Sequence, residues 1–544
     1  MEIERKFNLL EEPWIKVVMV NGSESEVSLK EVFQLAPEIM TLNGELETQN
    51  TALMRLLLAI MYSSLITNPN SEYQQFEIPD DAIDLWADIW EEKRLPVNQI
   101  LEYLEKQKDS FWLFHPERPF MQSNIAVSGT EYKTSKLIGD LSESSNKIRL
   151  FQSRAGNEKD VCSFGEAARW LLYLNAYDDT SAKPKSKGLG SPGAGWLGKL
   201  GQVYLKGRSL FETLMLNFCL LKDGEALWSS GKPYWESTLP AKERDPIELP
   251  NNPAELLTIR SRWLLLESNG DSITGFKLLG GNYFSKENAL TEQYTVWRPV
   301  FDGKKKDRKI IGYTPRRHEA HRQIWRDFAN IVPINSDDNK GGRTPGVVAW
   351  VQKLLSEQVL DDQRLLALWT CSVQYGDQYY YVNDLTGDSF SVHMSMLKKL
   401  NYAWRERVFL KIKTCEKFAY AAGELAKEIA LASGASGDAV LESAIDKGRE
   451  TAYEMLNTPF RGWLRSIQPE SQEIDENVFD EWHKTARRLA SNLVKVMENS
   501  STDAAVFGRS ANDQHYSLIE AVNHFFARVN RYYPDSREGI YDKK

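Results

Sequence analysis

The chain has 544 residues, of which 42% are hydrophobic and 26% charged, with a formal net charge of −9. This length predicts two to four domains with large cores, and the negative charge argues against a free-standing nucleic-acid-binding protein with a basic surface. The four cysteines lie far apart without a CxxC pair, which argues against structural zinc and fits a reducing cytoplasm. No apolar signal segment and no run of 18 apolar residues is present, so we expect a cytoplasmic protein without a membrane partner.

The first two thirds of the chain mix strand and helix patterns. In order, we predict short strands and turns in 7–35, a buried helix at 51–66, an amphipathic helix at 81–93, and a strand, a loop and a helix within 147–179. Residues 180–201, TSAKPKSKGLGSPGAGWLGKLG, fit no helix or strand of normal length. A long segment of this kind inside a compact domain is usually functional or disordered.

Residues 374–382, QYGDQYYYV, follow a strongly apolar run and predict a β-hairpin. We place Gly376 and Asp377 at its tip and residues 379–382 in the returning strand. Gln378 then lies just past the tip. A neutral amide is neither a nucleophile nor an acid, but it can form hydrogen bonds or be wedged into a partner.

From about residue 395 the pattern changes to apolar residues spaced three and four apart. Four such stripes span 408–429, 441–455, 479–496 and 518–529. Four amphipathic helices joined by polar segments predict a four-helix bundle. The predicted fold class is therefore α+β, with a mixed α/β body over 1–394 and a C-terminal four-helix bundle over 395–544.

Two glycine-rich patterns resemble nucleotide-binding motifs, but both lack the required context. GLGSPG (188–193) follows no strand, and GAGWLGKL (193–200) ends in Leu200, where a P-loop needs Ser or Thr and the start of a helix. A nucleotide- or metal-dependent enzyme that uses the loop 180–201 remains an alternative hypothesis.

No other pattern gives a convincing set of catalytic residues. RRHEAHR (316–322) is interpreted as a solvated face of a helix, because His318 and His321 have no evident third metal ligand. The Asp pairs at 178–179 and 361–362 are typical of helix ends. We therefore predict no catalytic residues, no metal and no cofactor, and a binding subunit rather than an enzyme. A helical scaffold without a nucleic-acid role is the other alternative.

Three stretches in order carry a resemblance to a known family: FNLLEEPWIKV (7–17), HPERPFMQ (115–122), and QYGDQ (374–378) followed by the predicted bundle. Together they resemble the large subunit of the type I-E CRISPR surveillance complex Cascade, the CasA family. The resemblance runs the whole length of the chain and implies a mixed body followed by a helical bundle.

The resemblance also implies a function and partners. Members of this family lie beside the 5′ handle of the CRISPR RNA, together with the backbone and small subunits of Cascade. They recognise the protospacer-adjacent motif (PAM) in double-stranded target DNA, largely from the minor groove, and help open the duplex. They also help recruit a helicase–nuclease that is supplied in trans.

Two elements of the PAM site follow from the resemblance. A glutamine on a hairpin acts as a wedge in the family, and Gln378 takes that place, with Gly376 and Asp377 beside it. A lysine finger precedes a tryptophan-containing strand, which suggests Lys286, with Asn288 as the alternative. A primary amine suits the acceptors of the minor groove.

A third element is a glycine-rich loop that approaches the minor groove. Alignment after NAYDD puts Ser181, Ala182 and Lys183 at its main positions, where the family has glycine, and this departure bears on how strictly the PAM is read. Lys183 and Lys185 suit phosphate contacts. The alternative is a solvated loop.

A fourth element contacts the RNA handle and the first part of the target. The matching stretch is LFQSRAGNEKD (150–160), with Phe151, Gln152, Arg154 and Gly156 as candidates. Phe151 suits stacking on a base, or alternatively belongs to the core, and Arg154 suits a phosphate. Some family members carry a metal-binding cysteine cluster that this chain lacks.

Overall fold

The structure is a computed structural model that describes residues 5–69, 71, 76–142, 153–179, 192–237, 244, 246–303, 309–334, 343–470, 472–511 and 514–534. The strands in these ranges are β1 Lys6–Asn8, β2 Ile15–Met19, β3 Glu24–Val27, β4 Ile39–Leu42, β5 Trp112–Phe114, β6 Thr130–Lys133, β7 Cys162–Ser163, β8 Gln202–Lys206, β9 Leu221–Lys222, β10 Ala226–Leu227, β11 Arg262–Asn269, β12 Ser272–Gly280, β13 Trp297–Phe301, β14 Ile310–Pro315, β15 Leu365–Tyr375, β16 Val382–His393, β17 Arg509–Ala511 and β18 Gln514–Tyr516. The helices are α1 Leu29–Gln34, α2 Glu47–Met61, α3 Pro79–Glu92, α4 Val97–Lys106, α5 Thr134–Leu137, α6 Phe164–Tyr177, α7 Leu210–Asn217, α8 Pro253–Leu256, α9 Phe328–Ile331, α10 Gly346–Ser356, α11 Tyr402–Ala432, α12 Asp438–Ser466, α13 Glu476–Asn499, α14 Asp503–Phe507 and α15 Leu518–Tyr532.

Contacts along the chain divide it into two compact units. Unit 1 comprises Met1–Arg322, Lys340–Leu360 and Ala367–Ser389. Unit 2 comprises Gln323–Asn339, Asp361–Leu366 and Phe390–Lys544. The mixed α+β fold is confirmed, and the division into domains at residues 394 and 395 stays a prediction.

Unit 1 contains several small sheets rather than one large sheet. Its sheets with three or four strands have the orders β3-β2-β4, β16-β15-β8 and β11-β12-β6, with β7 also paired to β12. Strand β15 pairs antiparallel with β8, with Ala367 opposite Lys206 and Cys371 opposite Gln202. This pairing fixes the root of the predicted hairpin on the central part of unit 1.

Helices α2 and α6 pack together in the core of unit 1. Every residue of α2 from Thr48 to Met61 is buried, the polar ones included, as expected for a helix that lies inside a core. The charge of Arg55 on this helix is met by Glu292, whose two carboxylate oxygens accept from the guanidinium at 2.9 and 3.0 Å. By length and composition, one segment of the described chain, Glu47–Thr67, could span a membrane, and most of it is buried inside the protein.

Unit 2 contains the four predicted helices. Helix α11 contacts α12 and α15, and α13 contacts the same two helices, so the four close into a bundle. Aromatic rings fill part of its core, with the Trp463 and Trp482 ring centroids 5.3 Å apart and Phe460 packed edge-on against Trp482. The predicted bundle is confirmed, because these amphipathic stripes can be buried only against one another.

Candidate nucleic-acid interface

The predicted hairpin exists, but its tip is longer than the sequence suggested. Strand β15 ends at Tyr375 and β16 begins at Val382, so residues 376–381 form the tip. The prediction that residues 379–381 belong to the returning strand is therefore wrong. The Gly376 N–H donates to the carbonyl of Tyr381 at 3.0 Å and closes the tip.

Two consecutive residues of this hairpin tip have left-handed backbone angles. Gln378 has φ of 50° and Tyr379 has φ of 61°. This conformation costs about 1–3 kcal/mol for a non-glycine residue, so the surroundings must hold it. It also prevents the extended backbone that three tyrosines in sequence would otherwise favour. A Cβ atom at Gly376 would lie 2.0 Å from the Tyr381 ring, so this position requires glycine unless that ring moves.

An arginine braces the hairpin tip from the side. The guanidinium of Arg317 lies 5.0 Å from the ring centre of Tyr375 and 4.6 Å from that of Tyr379. Its Nε donates to the carbonyl of Gly198 at 2.7 Å. Cation–π contacts of this kind contribute about 0.5–2 kcal/mol. Arg317 therefore ties the tip to the segment that follows residues 180–191.

The end of strand β15 nearest the hairpin tip is anchored at the end of helix α6. The Tyr375 hydroxyl donates to the carbonyl of Tyr177, the last residue of that helix. A Cβ atom at Gly198 would lie 2.1 Å from the same hydroxyl, so the close approach requires glycine.

The stretch RRHEAHR supports the hairpin and is not a helix, so the predicted solvated helical face is wrong. His318 is buried, and its Nε2 lies 2.9 Å from the carbonyl oxygen of Gln202. The His318 carbonyl in turn accepts from the side-chain amide of Gln374 at 2.6 Å. Hydrogen bonds with distant segments thus hold this stretch in a non-helical conformation in spite of its local helical pattern.

Buried charges bind the residues on either side of segment 180–191. Arg262 donates from Nε to the Asp178 carboxylate at 2.6 Å. Its Nη2 donates to the backbone carbonyls of Asp178, Asp179 and Gly193, and Lys136 donates to the Asp179 carboxylate at 2.8 Å. We call these five residues the loop base. The Asp pair at 178–179 therefore has a structural role in the described part of the chain.

The predicted minor-groove residues Ser181, Ala182, Lys183 and Lys185 lie outside the described residues. Past the loop base, the chain runs through a short turn at Leu197–Lys199 into strand β8. A P-loop needs a helix at this point, so the geometry argues against that alternative.

Lys286 and Asn288 occupy the connection between β12 and β13, and the structure distinguishes them. The Asn288 side-chain oxygen accepts from the backbone N–H of Tyr313 at 2.8 Å, which commits it to the local fold. The Lys286 side chain is exposed and forms no ion pair with any described residue. Lys286 is the better placed of the two candidates for an external ligand.

Positive charges from these separate elements converge on Lys199. Burial, together with the charges of Arg262, Lys286, Arg244 and Arg317, lowers the pKa of Lys199 to about 8. Arg262 belongs to the loop base, Arg317 to the hairpin brace, and Lys286 to the predicted finger. The structure thus brings the loop base, the finger and the hairpin to one region of unit 1.

Two of the predicted RNA-handle residues, Arg154 and Gly156, lie in the described segment just before helix α6. Phe151 and Gln152 are outside the described ranges. Arg154 pairs with Glu166 in the first turn of the helix, and Gly156 is exposed with φ of +56°. A helix of this length places its two ends about 20 Å apart, so Arg154 does not join the group around Lys199.

Sequence reasoning missed three residues that organise this region: Lys199, Arg262 and Arg317. The one available signal was the pair Arg316–Arg317 next to buried strands. Within the described ranges, no cluster of three His, Cys, Asp or Glu residues could hold a metal ion. All four cysteines are buried and free, so they offer no accessible nucleophile or metal ligand.

Comparisons with known proteins identify the family. A sequence profile described as CRISPR-associated protein Cse1 matches residues 8–493. The CRISPR-associated protein CasA/Cse1 of Thermus thermophilus is 26% identical over 431 residues, which is 78% of each chain.

Solved structures agree in fold. The crystal structure of Thermobifida fusca Cse1 has a TM-score of 0.82 and 26% identity, covering 97% of this chain and 98% of that one. A chain of a CRISPR RNA-guided surveillance complex has a TM-score of 0.68 at 16% identity, covering 97% of this chain and all of that one, and shows a shared fold. From the profile match over most of its length, the chain belongs to the Cse1 family, also called CasA.

Proposed function

We propose that this Cse1-family chain is the non-catalytic large subunit of an RNA-guided antiviral surveillance complex. It recognises the PAM in double-stranded target DNA, helps open the duplex for pairing with the CRISPR RNA, and helps recruit the helicase–nuclease. The protein thus recognises the short PAM, while base pairing with the CRISPR RNA recognises the rest of the target. Its partners are the CRISPR RNA, the target DNA, the backbone and small subunits, and the helicase–nuclease, all in the cytoplasm.

The observation that supports this proposal best is the convergence around Lys199. Three segments far apart in sequence bring the braced hairpin, the loop base and an exposed lysine together. The minor groove offers base acceptors between two rows of phosphates, so a reader of this groove needs both a narrow probe and cations beside it. The positive charges around Lys199 supply these cations, although the whole chain has a net charge of −9.

Gln378 is proposed as the wedge, with Gly376 and Asp377 setting its turn. Inserting a side chain at a base step costs a few kcal/mol, roughly, in lost stacking. A tip that is already fixed loses less entropy on insertion than a mobile one. The brace from Arg317 on Tyr379 supports this role, since it holds the residue next to Gln378.

The remaining predicted residues serve the same groove or, separately from it, the RNA handle. Lys286 approaches the minor-groove acceptors, and Asn288 supports the turn that presents it. The residues proposed for the groove and its phosphates are Ser181, Ala182, Lys183 and Lys185, and those proposed for the RNA handle are Phe151, Gln152, Arg154 and Gly156.

The test uses the reconstituted complex with and without this chain. Binding to duplexes with a randomised three-base flank beside a matched target is measured at fixed salt. We expect flank-dependent binding that requires the chain, and a loss of flank discrimination of about tenfold in Gln378→Ala and Lys286→Ala. Lys495→Ala, which removes an exposed lysine on helix α13, is the matched control.

Flank-independent binding that does not change when the chain is omitted would reject the proposal in favour of a helical scaffold. Stabilisation of the chain by ATP or NAD in a thermal-shift experiment would instead favour the nucleotide-dependent enzyme.

A further inference from the structure

A small cavity lies in the core of unit 1, where helices α2 and α6 meet the segment that precedes strand β11. We call it the α2–α6 cavity. The space in it that water molecules can occupy is about 30 Å³. Small-molecule sites typically have about 300–1,000 Å³, so no organic ligand fits. A single water molecule needs about 10–15 Å³ in the same measure, so the cavity has room for one or two water molecules.

Most walls of the α2–α6 cavity are apolar, but polar side chains also belong to them. Besides the Trp196 indole, these are Arg55, Asn175, Thr258 and Ser261, and all of them are buried. A cavity with only apolar walls stays dry, whereas buried polar groups with incomplete hydrogen bonds hold ordered water. The hydrogen bonds of these side chains therefore decide what the cavity binds.

Asn175 on helix α6 has an acceptor that the protein does not use. Its amide nitrogen donates to the carbonyls of Met121 and Leu171, each at 3.3 Å. A flipped amide would put its oxygen against these two carbonyl oxygens, so the contacts fix its orientation. The other atom, Oδ1, is buried and accepts no hydrogen bond from any described residue. Because a buried acceptor without a donor is costly, a donor from outside the chain is favoured here.

Ser261 supplies the complementary group in the same cavity. Its Oγ accepts from the backbone N–H of Trp196 at 3.1 Å, and its hydroxyl hydrogen has no acceptor among the described residues. The Thr258 hydroxyl, in contrast, already has both a donor and an acceptor. A water molecule both donates and accepts, so it can pair with Asn175 Oδ1 and with the Ser261 hydroxyl at once.

We propose that the α2–α6 cavity is a binding site for ordered water, in which one molecule donates to Asn175 Oδ1 and accepts from the Ser261 hydroxyl. A second molecule fits beside the guanidinium of Arg55, whose two Nη atoms already donate to Glu292. Water is thus part of the core of this chain at a point where its own side chains leave hydrogen bonds incomplete.

The position of this water gives it a structural role. Asn175 lies in the last turn of α6, two residues before Tyr177, whose carbonyl accepts from the hairpin residue Tyr375. Ser261 directly precedes Arg262 of the loop base. The water therefore bridges the end of α6 to the segment that carries Arg262. This inference does not depend on the proposed function, because it concerns only the folded chain.

The direct test is a high-resolution crystal structure of the wild-type chain. We expect an ordered water molecule within hydrogen-bond distance of both Asn175 Oδ1 and Ser261 Oγ. Well-ordered walls with no solvent density between these two atoms would overturn the proposal. This measurement needs no variant.

A second test works in solution with Ala52→Val, which adds methyl groups to a residue that lines the cavity. Magnetic relaxation dispersion of the solvent oxygen counts the long-lived buried waters of wild type and variant. We expect the variant to lose the one or two waters of this cavity. Its equilibrium constant for unfolding should rise about tenfold, because Asn175 Oδ1 and the Ser261 hydroxyl lose their partner.

The matched control is Ala59→Val, which makes the same change in the buried part of α2 at a residue that does not line the cavity. It has the same effect on helix propensity and should keep the wild-type number of buried waters. An unchanged water count in Ala52→Val, or a gain in stability from filling the space, would overturn the proposal. If neither valine variant folds, the wild-type crystal structure decides alone.

Discussion

The hairpin tip and the loop base are joined through Tyr177 and Gly198, yet different interactions hold them. The tip depends on an edge-to-face contact between the Tyr375 and Tyr379 rings and on one guanidinium, and residues Tyr379–Tyr381 are partly exposed. The loop base depends on buried charges, each of which has its partners inside the protein. An aromatic pair contributes about 0.5–1.5 kcal/mol, whereas breaking a buried ion pair costs about 3–5 kcal/mol. The tip can therefore change with little loss of stability, while the loop base cannot.

The largest effect is expected from Arg262→Met at the loop base. The Asp178 carboxylate and the carbonyls of Asp178, Asp179 and Gly193 would lose their donor, and the charge of Asp178 would be left with Lys136 at 3.5 Å. We expect the free energy of unfolding to fall by about 3–5 kcal/mol. Urea unfolding followed by tryptophan fluorescence measures this loss.

The matched control is Arg317→Met, which makes the same substitution at the hairpin tip. Its expected loss is about 0.5–2 kcal/mol, since only the contacts with two rings and one carbonyl disappear. Equal losses in the two variants would show that the tip and the loop base do not differ in the way described.

The helical bundle illustrates what the sequence can predict. The predicted stripe 408–429 includes Val408, Ile412 and Cys415, and all three are buried in α11. The pattern is local, because each helix places residues three and four apart on one face. Packing of four such faces then follows with few alternatives.

The site in unit 1 shows the limits of local patterns. Arg262 and Asp178 are separated by 84 positions, and no periodicity links them. The hairpin itself could be predicted, but the length of its tip depends on the left-handed angles at Gln378 and Tyr379. The ring of Tyr379 contacts Arg317, which lies on a segment that the local pattern assigns to a helix. Contacts between distant segments, rather than propensity, decide the geometry of the site.

An intermediate effect is expected from Gly198→Ala, which disturbs the point where the hairpin and the loop base join. The new methyl group would lie 2.1 Å from the Tyr375 hydroxyl and push it away from the Tyr177 carbonyl. Overpacking of this kind costs about 1–3 kcal/mol. In the reconstituted complex, the displaced hairpin should also lower flank discrimination several-fold.

The control for this change is Gly462→Ala in helix α12, where nothing lies within 4 Å of the added methyl group. It should stabilise the protein by about 0.5–1 kcal/mol, because alanine favours a helix over glycine. If Gly198→Ala behaved like Gly462→Ala, the hairpin would not be coupled to the loop through this contact.

The smallest expected effect is a dependence of stability on pH, which tests how the neighbouring charges act on Lys199 near the loop base. The pKa of Lys199 is about 8 in the folded chain, below its ordinary value of 10.5, because of burial and the neighbouring cations. Between these two pH values the unfolded chain binds a proton that the folded chain has released, so stability contributed by this group rises with pH. Wild type should therefore gain stability relative to Lys199→Met between pH 7.5 and pH 9.5, in buffer without phosphate. Lys286→Met removes a neighbouring charge, so it should raise the pKa of Lys199 and shift this gain in stability to higher pH. Parallel curves of stability against pH for wild type and Lys199→Met would mean that the cations around Lys199 do not act on it.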